Sequence, residues 1–545
     1  MKSVILIILD GWGIAPSGAG NATSLAHIPQ FHTFFTNYPH GLLRASGQAV
    51  GLPKNEVGNT ETGHLNLGAG RIVYQDLPKI NMAIADGSFF ASKAFLGAIE
   101  HARKNASKLH LIGLIGAGGV HSNLEHLFAL MQLCKEQNFK EVFLHLITDG
   151  RDSPPTSGAS YVSEIIAETK SLGVGRIATI MGRFFAMDRD KRWDRTEKAY
   201  KALTEGVGNH FTDPVEIVNE SYKSGKTDEF IEPGILMEQD KPVATVSAGD
   251  SVIFFNFRVD RPRQLTKAFV LDDFAGHGNE GYFDPYAVKY YKKHILEDTN
   301  ASPPFLRGTK ISDLFFTTMT EYEKGLSVSA VAFPPVIVDY PLGRAIADHG
   351  IRQLRMCESE KERFVTYYFN GQKEETFPLE ERKIIPSPKV PTYDLKPEMS
   401  ALPITDELIA RIRSENYGLI VVNFANADMV GHTGVISAAV KACEVLDLCL
   451  GKIVSEALNH NGVCLITADH GNVEEMIDPR TGGVDTEHSS YPVPFIAIGR
   501  EFEGKSKDLG VGMLADIAPT ILGLLRLTKP STMTGRNLLD GLTED

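Results

Sequence analysis

Residues 58–71, Gly-Asn-Thr-Glu-Thr-Gly-His-Leu-Asn-Leu-Gly-Ala-Gly-Arg, set the hydroxyl of Thr60 among small, turn-forming neighbours. A hydroxyl so placed is open to an electrophile and becomes a nucleophile when a base or a metal ion lowers its pKa. On its own the stretch reads more simply as a cap, with Thr60 opening a short helix through Leu65. A second set of residues changes that reading. Asp10, Asp428, His432, Asp469, His470 and His488 combine carboxylate and imidazole, donors that suit Mn, Zn or Co better than Ca. Asp428 and His432 are four apart, so a helical turn puts both on one face. Asp469 and His470 are adjacent and, on a loop, can turn toward one ion or toward two. A lone histidine is usually a structural, hydrogen-bonded residue. Here, however, five of the six follow apolar runs that read as buried strands, where unpaired charge is costly without a metal.

A cationic set accompanies them: Arg151, Arg183, Arg189, Arg258 and Arg261, with His121 and Asp152 among them. A guanidinium grips carboxylate or phosphate through paired hydrogen bonds. Surface arginines are commonly just solvated, and residues 187–192 also read as a charge-laced helix start. Their recurrence after several apolar runs favours anion binding. A small phosphorylated acid would satisfy both the metal-like set and the arginines.

The elements that must position these groups are short, continuous, β-branched apolar runs of the buried parallel-strand kind. Val4–Leu9 ends at Asp10; Leu419–Phe424 leads to Asn426, Asp428 and His432; Val463–Thr467 ends at Asp469 and His470. Between the last two, residues 438–456 carry apolar positions at helical spacing. In the middle of the chain, Leu109–Ile115 leads to His121, 142–147 to Arg151 and Asp152, 177–181 to Arg183, and 252–257 to Arg258 and Arg261. Ligands in open α/β sheets bind beyond the carboxyl ends of strands, so each sheet gathers its own functional mouth. Segments of the first sheet flank the second, which predicts one α/β domain inserted into another, with crossings near 74–78 and 333–341 where proline punctuates the chain. Residues 274–304 read as a long excursion on the inserted domain.

Composition bounds the partners. At 545 residues two domains are expected, and 43% hydrophobic with 23% charged residues is ordinary for a globular enzyme. The apolar run at the N-terminus is cut short by Asp10 and has no cleavage site after it, so it reads as a strand and not a signal segment. No apolar run approaches membrane-spanning length. Five scattered cysteines without a metal-type pair predict a reducing, cytoplasmic setting. A formal charge of -13 argues against nucleic acid or an anionic membrane as partner.

Nine motifs together carry a resemblance that runs nearly end to end: Leu9 to Gly13, residues 58–71, Gly119 to Ser122, Asp149 to Asp152, Met187 to Trp193, Phe255 to Arg258, Asn423 to Gly434, Thr467 to Asn472 and Ala515 to Thr520. With these the chain resembles the cofactor-independent (2,3-bisphosphoglycerate-independent) phosphoglycerate mutases of the alkaline phosphatase superfamily. The resemblance implies an α/β, alkaline-phosphatase-like phosphatase domain in two segments, 1–75 and 336–545, that binds metal, with a second α/β, substrate-binding transferase domain inserted at 76–335. It implies two divalent ions, Mn2+ first with Co2+, Zn2+ or Mg2+ as alternatives. One would be held by Asp428, His432 and His488, the other by Asp10, Asp469, His470 and Thr60. Lys361 matches the lysine that supports nucleophile and transferred phosphate. His121, Arg151, Asp152, Arg183, Arg189, Arg258 and Arg261 match the substrate-binding set, with Asp152 shuttling protons. The implied reaction interconverts 3-phosphoglycerate and 2-phosphoglycerate through a phosphoenzyme, a phosphothreonine here, with domain closure excluding water. A monomer acting on a small molecule is expected.

Three features depart from the family pattern. Thr60 stands where serine is usual, which implies retained but slower turnover because its methyl group sits where an in-line phosphate approaches. Gly116 and Ala117 stand where a Ser-Asp pair is usual, and the 274–304 excursion is longer than usual. Two rivals follow: a metal-dependent phosphohydrolase or phosphodiesterase on the same core, and an inactive metal-binding scaffold. The inserted arginine set argues against the first, since a hydrolase need not retain its leaving group. The full set of presumed metal-binding side chains argues against the second.

Overall fold

A computed structural model describes residues 3–280, 302–414 and 416–542. The chain divides into two compact units, Met1–Gln75 with Val336–Asp545, and Asp76–Pro335 between those segments. Residues 281–301 of the predicted excursion lie outside the described residues. Just before them, Phe274 packs edge-on against Trp193 with ring centroids 5.2 Å apart.

The first unit is built on an eight-stranded sheet in the order Glu380–Ile385, Gln353–Glu358, Leu419–Phe424, Val4–Leu9, Val463–Thr467, Val493–Ile498, His40–Arg44, Asp508–Met513. Val4–Leu9 is buried at every position and pairs in parallel with Leu419–Phe424 on one side and Val463–Thr467 on the other. Gln353–Glu358 extends the parallel run, whereas Val493–Ile498 runs antiparallel to both its neighbours. Six apolar residues with both faces covered make this strand the core, each larger side chain contributing roughly 1.5–3 kcal/mol of burial before chain entropy is counted. The helix expected over 438–456 spans Ile436–Asn459. It buries Ala439, Ala442, Cys443, Leu446, Leu450, Ile453, Val454 and Ala457 at helical spacing. All five cysteines are buried and unpaired.

The second unit carries its own sheet, ordered Ala330–Phe333, Phe315–Thr320, Ser251–Phe254, Leu109–Ile115, Val142–Thr148, Arg176–Gly182, Gly234–Glu238, Asn209–Phe211, with Lys241–Pro242 paired to Gly234–Glu238. The first six strands are parallel to one another. The strand expected to reach 257 leaves the ladder after Phe254, because the Asn256 side chain takes over a backbone role: its Oδ1 accepts from Leu114 N at 2.9 Å. Residues 187–192 form no helix start. They wrap Asp188, whose Oδ2 accepts from Asp190 N and Arg192 N at 3.0 and 2.9 Å, and the helix begins at Trp193.

A polar chain crosses this second sheet at full burial. One proton order satisfies it: Thr179 Oγ1 donates to His145 Nδ1 (2.9 Å), His145 Nε2 to His110 Nδ1 (2.9 Å), and His110 Nε2 to Asp250 Oδ2 (3.1 Å). Burial lowers the pKa of both rings, outweighing Asp250 at His110 and reinforced by His110 at His145. Burial alone takes His126 to about 4. These rings are neutral in the folded unit, while in the unfolded chain they take up protons as pH falls through about 6.5. Stability is therefore fully present above that pH and is lost below it, by ~1.4 kcal/mol per pH unit per histidine. Urea unfolding followed by Trp193 fluorescence in a Trp12→Phe background should show a midpoint that falls between pH 6.5 and 5. His126→Gln should flatten the slope by about one proton, and a midpoint independent of pH would contradict the account.

Candidate functional site

Four adjacent parallel strands of the first unit deliver chemistry at their carboxyl ends. Val4–Leu9 is followed by Asp10, Leu419–Phe424 by the short helix Asn426–Gly431 with Asp428, Val463–Thr467 by Asp469 and His470, and Gln353–Glu358 by the 3-10 turn Ser359–Lys361. Backbone bonds lock the first two together: Asp10 N donates to Phe424 O at 3.1 Å and Asp428 N to Asp10 O at 2.9 Å. Gly11 allows that approach, having φ +77° and a position where a Cβ would lie 2.7 Å from Asp428 Cα.

Thr60 is the first residue of the helix Thr60–Ala69, but it is not the cap. Asn59 is, its Oδ1 accepting from Thr62 N at 2.9 Å, which leaves the Thr60 hydroxyl for other work. Its Oγ1 lies 2.8 Å from His470 Nε2, and Lys361 Nζ donates to it at 3.3 Å. Gly63 seats this helix on the Asp469 loop, since a Cβ there would meet Asp469 O at 2.5 Å.

The residues expected to bind metal are brought together. Asp428, His432 and His488 form a triangle: His432 Nε2 and His488 Nε2 stand 3.2 and 3.1 Å from Asp428 Oδ1 and 3.1 Å from each other. His470 Nε2 lies 3.3 Å from Asp10 Oδ1, 3.6 Å from Asp469 Oδ2 and 3.9 Å from Asp428 Oδ1. His470 thus stands between the two sets, which its position in the sequence does not reveal; ligand atoms of Asp10, Asp469 and His470 fall within 4.8 Å of one another, as do those of Asp428, His470 and His488. Lys361 Nζ bridges Asp10 Oδ1 (2.9 Å) and Asp428 Oδ2 (2.7 Å).

Electrostatics follow from this crowding. Burial alone would discharge Lys361, yet Asp10, Asp428 and Asp469 hold its pKa well above the ordinary lysine value. Burial likewise opposes charge on His470, and Asp469, Asp10 and Asp428 override it and raise the ring to about 10. Burial would raise the Asp428 carboxyl, but Lys361, His432, His488 and His470 pull it well below the carboxylate range.

In the second unit the cationic residues also follow parallel strands. Arg183 is buried and donates through Nη1 to both Asp149 and Asp152. His121 Nε2 lies 3.7 Å from Asp152 Oδ2, and its Nδ1 3.8 Å from Asp260 Oδ1. Asp260 also receives Arg189 Nη1 at 2.7 Å and stands 3.3 Å from Arg258 Nε. Arg261 donates to Met187 O at 3.2 Å, and its pKa is lowered by burial and then by the charges of Arg183, Arg189 and Arg151. Arg151 sits at the margin, 3.7 Å from Glu229. Burial, with Arg183 next, lowers His121 to about 4, so its ring is neutral at neutral pH. Burial works against ionisation of Asp152, but the Arg183 hydrogen bond and charge, then His121 and Arg151, lower its pKa.

Residue patterns do not single out His64, Asn423 or Asp260. His64 Nδ1 lies 3.1 Å from Asp469 Oδ2 and 3.0 Å from Thr60 O, while Asn423 Nδ2 donates to Asp10 Oδ2 at 2.8 Å. Asp149 and Asp260 organise the arginines. The available signal was a polar residue breaking an apolar run, as Asn423 does, and a histidine one helical turn beyond Thr60.

Comparisons with known proteins agree along the chain. The family described as BPG-independent PGAM N-terminus matches residues 80–324. The chain is 49% identical over 542 residues to a 2,3-bisphosphoglycerate-independent phosphoglycerate mutase of Chloroflexus aggregans, covering 99% of this chain and 98% of that one. It is 47% identical over 538 residues to the enzyme of the same name from Clostridium beijerinckii, covering 99% of each. Among solved structures, Leishmania mexicana phosphoglycerate mutase, crystallised at low cobalt concentration, matches with TM-score 0.56 at 28% identity, covering 98% of this chain and 97% of that one. No helix among the described residues is long and apolar enough to cross a membrane. On identity of this extent over nearly its whole length, the chain belongs to the 2,3-bisphosphoglycerate-independent phosphoglycerate mutases.

Proposed function

We propose that the protein interconverts 3-phosphoglycerate and 2-phosphoglycerate through a phosphothreonine at Thr60, without bisphosphoglycerate. The observation that carries this reading is the Thr60 oxygen, 2.8 Å from His470 Nε2 and 3.3 Å from Lys361 Nζ at the first turn of a ten-residue helix. A helix N-terminus favours an anionic phosphate, and a buried ammonium beside it adds charge to the same point.

The donor set fits divalent cations. Three carboxylates and three imidazoles converge, and Asp469 Oδ1 is buried without a hydrogen-bond partner among the described residues. Asp428, His432 and His488 would hold one ion, and Asp10, Asp469, His470 and Thr60 the other; the mixed oxygen and nitrogen donors suit Mn2+, Zn2+ or Co2+, and Mn2+ is taken first on the family resemblance. Bound there, the ions would lower the hydroxyl pKa and neutralise phosphoryl charge.

The chain's own residues do the remaining work. In the first half-reaction a bond forms between Thr60 Oγ1 and phosphorus as the bond from phosphorus to the glycerate 3-oxygen breaks. The proton lost by Thr60 is balanced by the one gained at that 3-oxygen. Lys361 neutralises the transferred phosphate. Arg183, Arg189, Arg258 and Arg261 hold the glycerate by its carboxylate and hydroxyls. Asp152, kept ionised by Arg183, accepts the proton of the 2-hydroxyl as that oxygen bonds to phosphorus and the bond from phosphorus to Thr60 Oγ1 breaks; release of the same proton to the Thr60 oxygen through solvent restores both groups, while the 3-oxygen keeps its proton. The neutral ring of His121 beside Asp152 can orient either hydroxyl.

The test is phosphorus NMR of Mn2+-loaded protein with 3-phosphoglycerate, the metal being chelated before the spectrum is taken. The expected product is 2-phosphoglycerate with little free phosphate and no requirement for bisphosphoglycerate; free phosphate as the main product would establish a hydrolase instead. Arg258→Ala should lower kcat/KM by about 100-fold, chiefly through KM, and raise the share of free phosphate, because a poorly held glycerate escapes. An unchanged KM would remove Arg258 from the substrate-binding set. Thr60→Ser should keep the mutase activity and Thr60→Ala should abolish it; activity in the alanine variant would refute the assignment of the nucleophile.

A further inference from the structure

Glu474 lies two residues beyond the Thr467–Asn472 motif and is 3% exposed. Its carboxylate accepts from three loops. Oε2 accepts from Gly13 N at 2.9 Å and from Asn472 N at 2.9 Å, while Oε1 accepts from Ser489 Oγ. Gly13 follows Asp10 by three residues, Asn472 follows His470 by two, and Ser489 adjoins His488. One side chain therefore ties the three loops that carry Asp10, Asp469 with His470, and His488.

The backbone is shaped around this carboxylate. A Cβ on Gly13 would fall 2.2 Å from Glu474 Cδ, and a Cβ on Gly471 2.2 Å from Glu474 Oε1. Two of the three loops are thus glycine where they meet Glu474. A further backbone bond, Ser489 N to Gly471 O at 3.0 Å, closes the circuit between the second and third loops. Removing the carboxylate would leave two buried backbone donors without an acceptor and three loops without their common anchor.

We propose that Glu474 is a positioning residue for divalent-cation binding, fixing the spacing of Asp10, Asp469, His470 and His488 without ligating the ion. This rests on the metal-binding reading given above. Residues that orient metal ligands through hydrogen bonds commonly govern affinity by 10- to 100-fold. The identity of the hydrogen-bonding atoms makes a specific demand. A glutamine can keep all three bonds, its amide oxygen accepting from Gly13 N and Asn472 N and its amide nitrogen donating to Ser489 Oγ. A charge contribution or direct ligation would be lost in that variant, and a positioning role would not.

The experiment is calorimetric titration of Mn2+ into metal-stripped wild type, Glu474→Ala, Glu474→Gln and Ser489→Ala, with circular dichroism to verify folding and the visible absorption of the Co2+ forms as a report on ligand geometry. Glu474→Ala should bind Mn2+ about 10- to 100-fold more weakly and give an altered Co2+ spectrum, while Glu474→Gln stays within about 3-fold and keeps the wild-type spectrum. Ser489→Ala removes a single bond and should weaken binding by about 3-fold; it decides the matter if Glu474→Ala fails to fold. Wild-type affinity in Glu474→Ala, or in Ser489→Ala where that variant decides, would overturn the proposal, as would a loss in Glu474→Gln as large as in the alanine variant. Wild type that binds no Mn2+ would instead overturn the metal reading itself.

Discussion

Three carboxylates, those of Asp10, Asp428 and Asp469, are held within a few Å of each other at 0–2% exposure. Taking such groups out of water costs several kcal/mol each unless opposite charge and hydrogen bonds are in place. The first unit meets that constraint with Lys361 and His470, both kept charged against their own burial. These five groups follow four adjacent strands of one parallel run, Asp469 and His470 sharing one, so the sheet's order is what makes the balance attainable. A divalent ion held by Asp10, Asp469 and His470 would take the place of the His470 proton in this balance, since imidazole ligates a metal only when neutral.

The same constraint explains the setting of Thr60. A hydroxyl can be brought among these charges only if its helix approaches the Asp469 loop closely, which Gly63 permits, and only if another residue caps the helix, which Asn59 does. The second unit solves the opposite problem. Five arginines would repel one another without Asp149, Asp152 and Asp260 between them. Carboxylates gather cations in one unit and accompany arginines in the other.

Much of this was legible before any coordinates. The runs Val4–Leu9, Leu419–Phe424 and Val463–Thr467 are parallel neighbours, as short, nearly continuous apolar stretches with no alternating polar face are expected to be. Asp428 and His432 meet because four residues make a helical turn. What was not legible depends on contacts between distant segments. That His470 stands between both ligand sets is decided by how its loop meets Asp428 from another strand. That the helix begins one residue later than a Thr60 cap would set it, with Asn59 as its cap, turns on the extended backbone at Asn59 and its bond from Thr62 N. The early end of the strand at Phe254 turns on one Asn256 side chain bonding Leu114 N. Glu474 gave no signal of its own, since a single glutamate in a sequence does not show that three loops converge on it.

The central claim is that phosphate passes through the Thr60 oxygen. It is tested most directly by acid-quenching the Mn2+-loaded protein during turnover of 3-phosphoglycerate and mapping acid-stable phosphate by peptide mass spectrometry. The account predicts phosphothreonine at Thr60, appearing with substrate and lost as the phosphoryl group is passed on. Turnover with phosphate on a different residue, or with none on Thr60 when the quench is fast enough to trap it, would contradict the account.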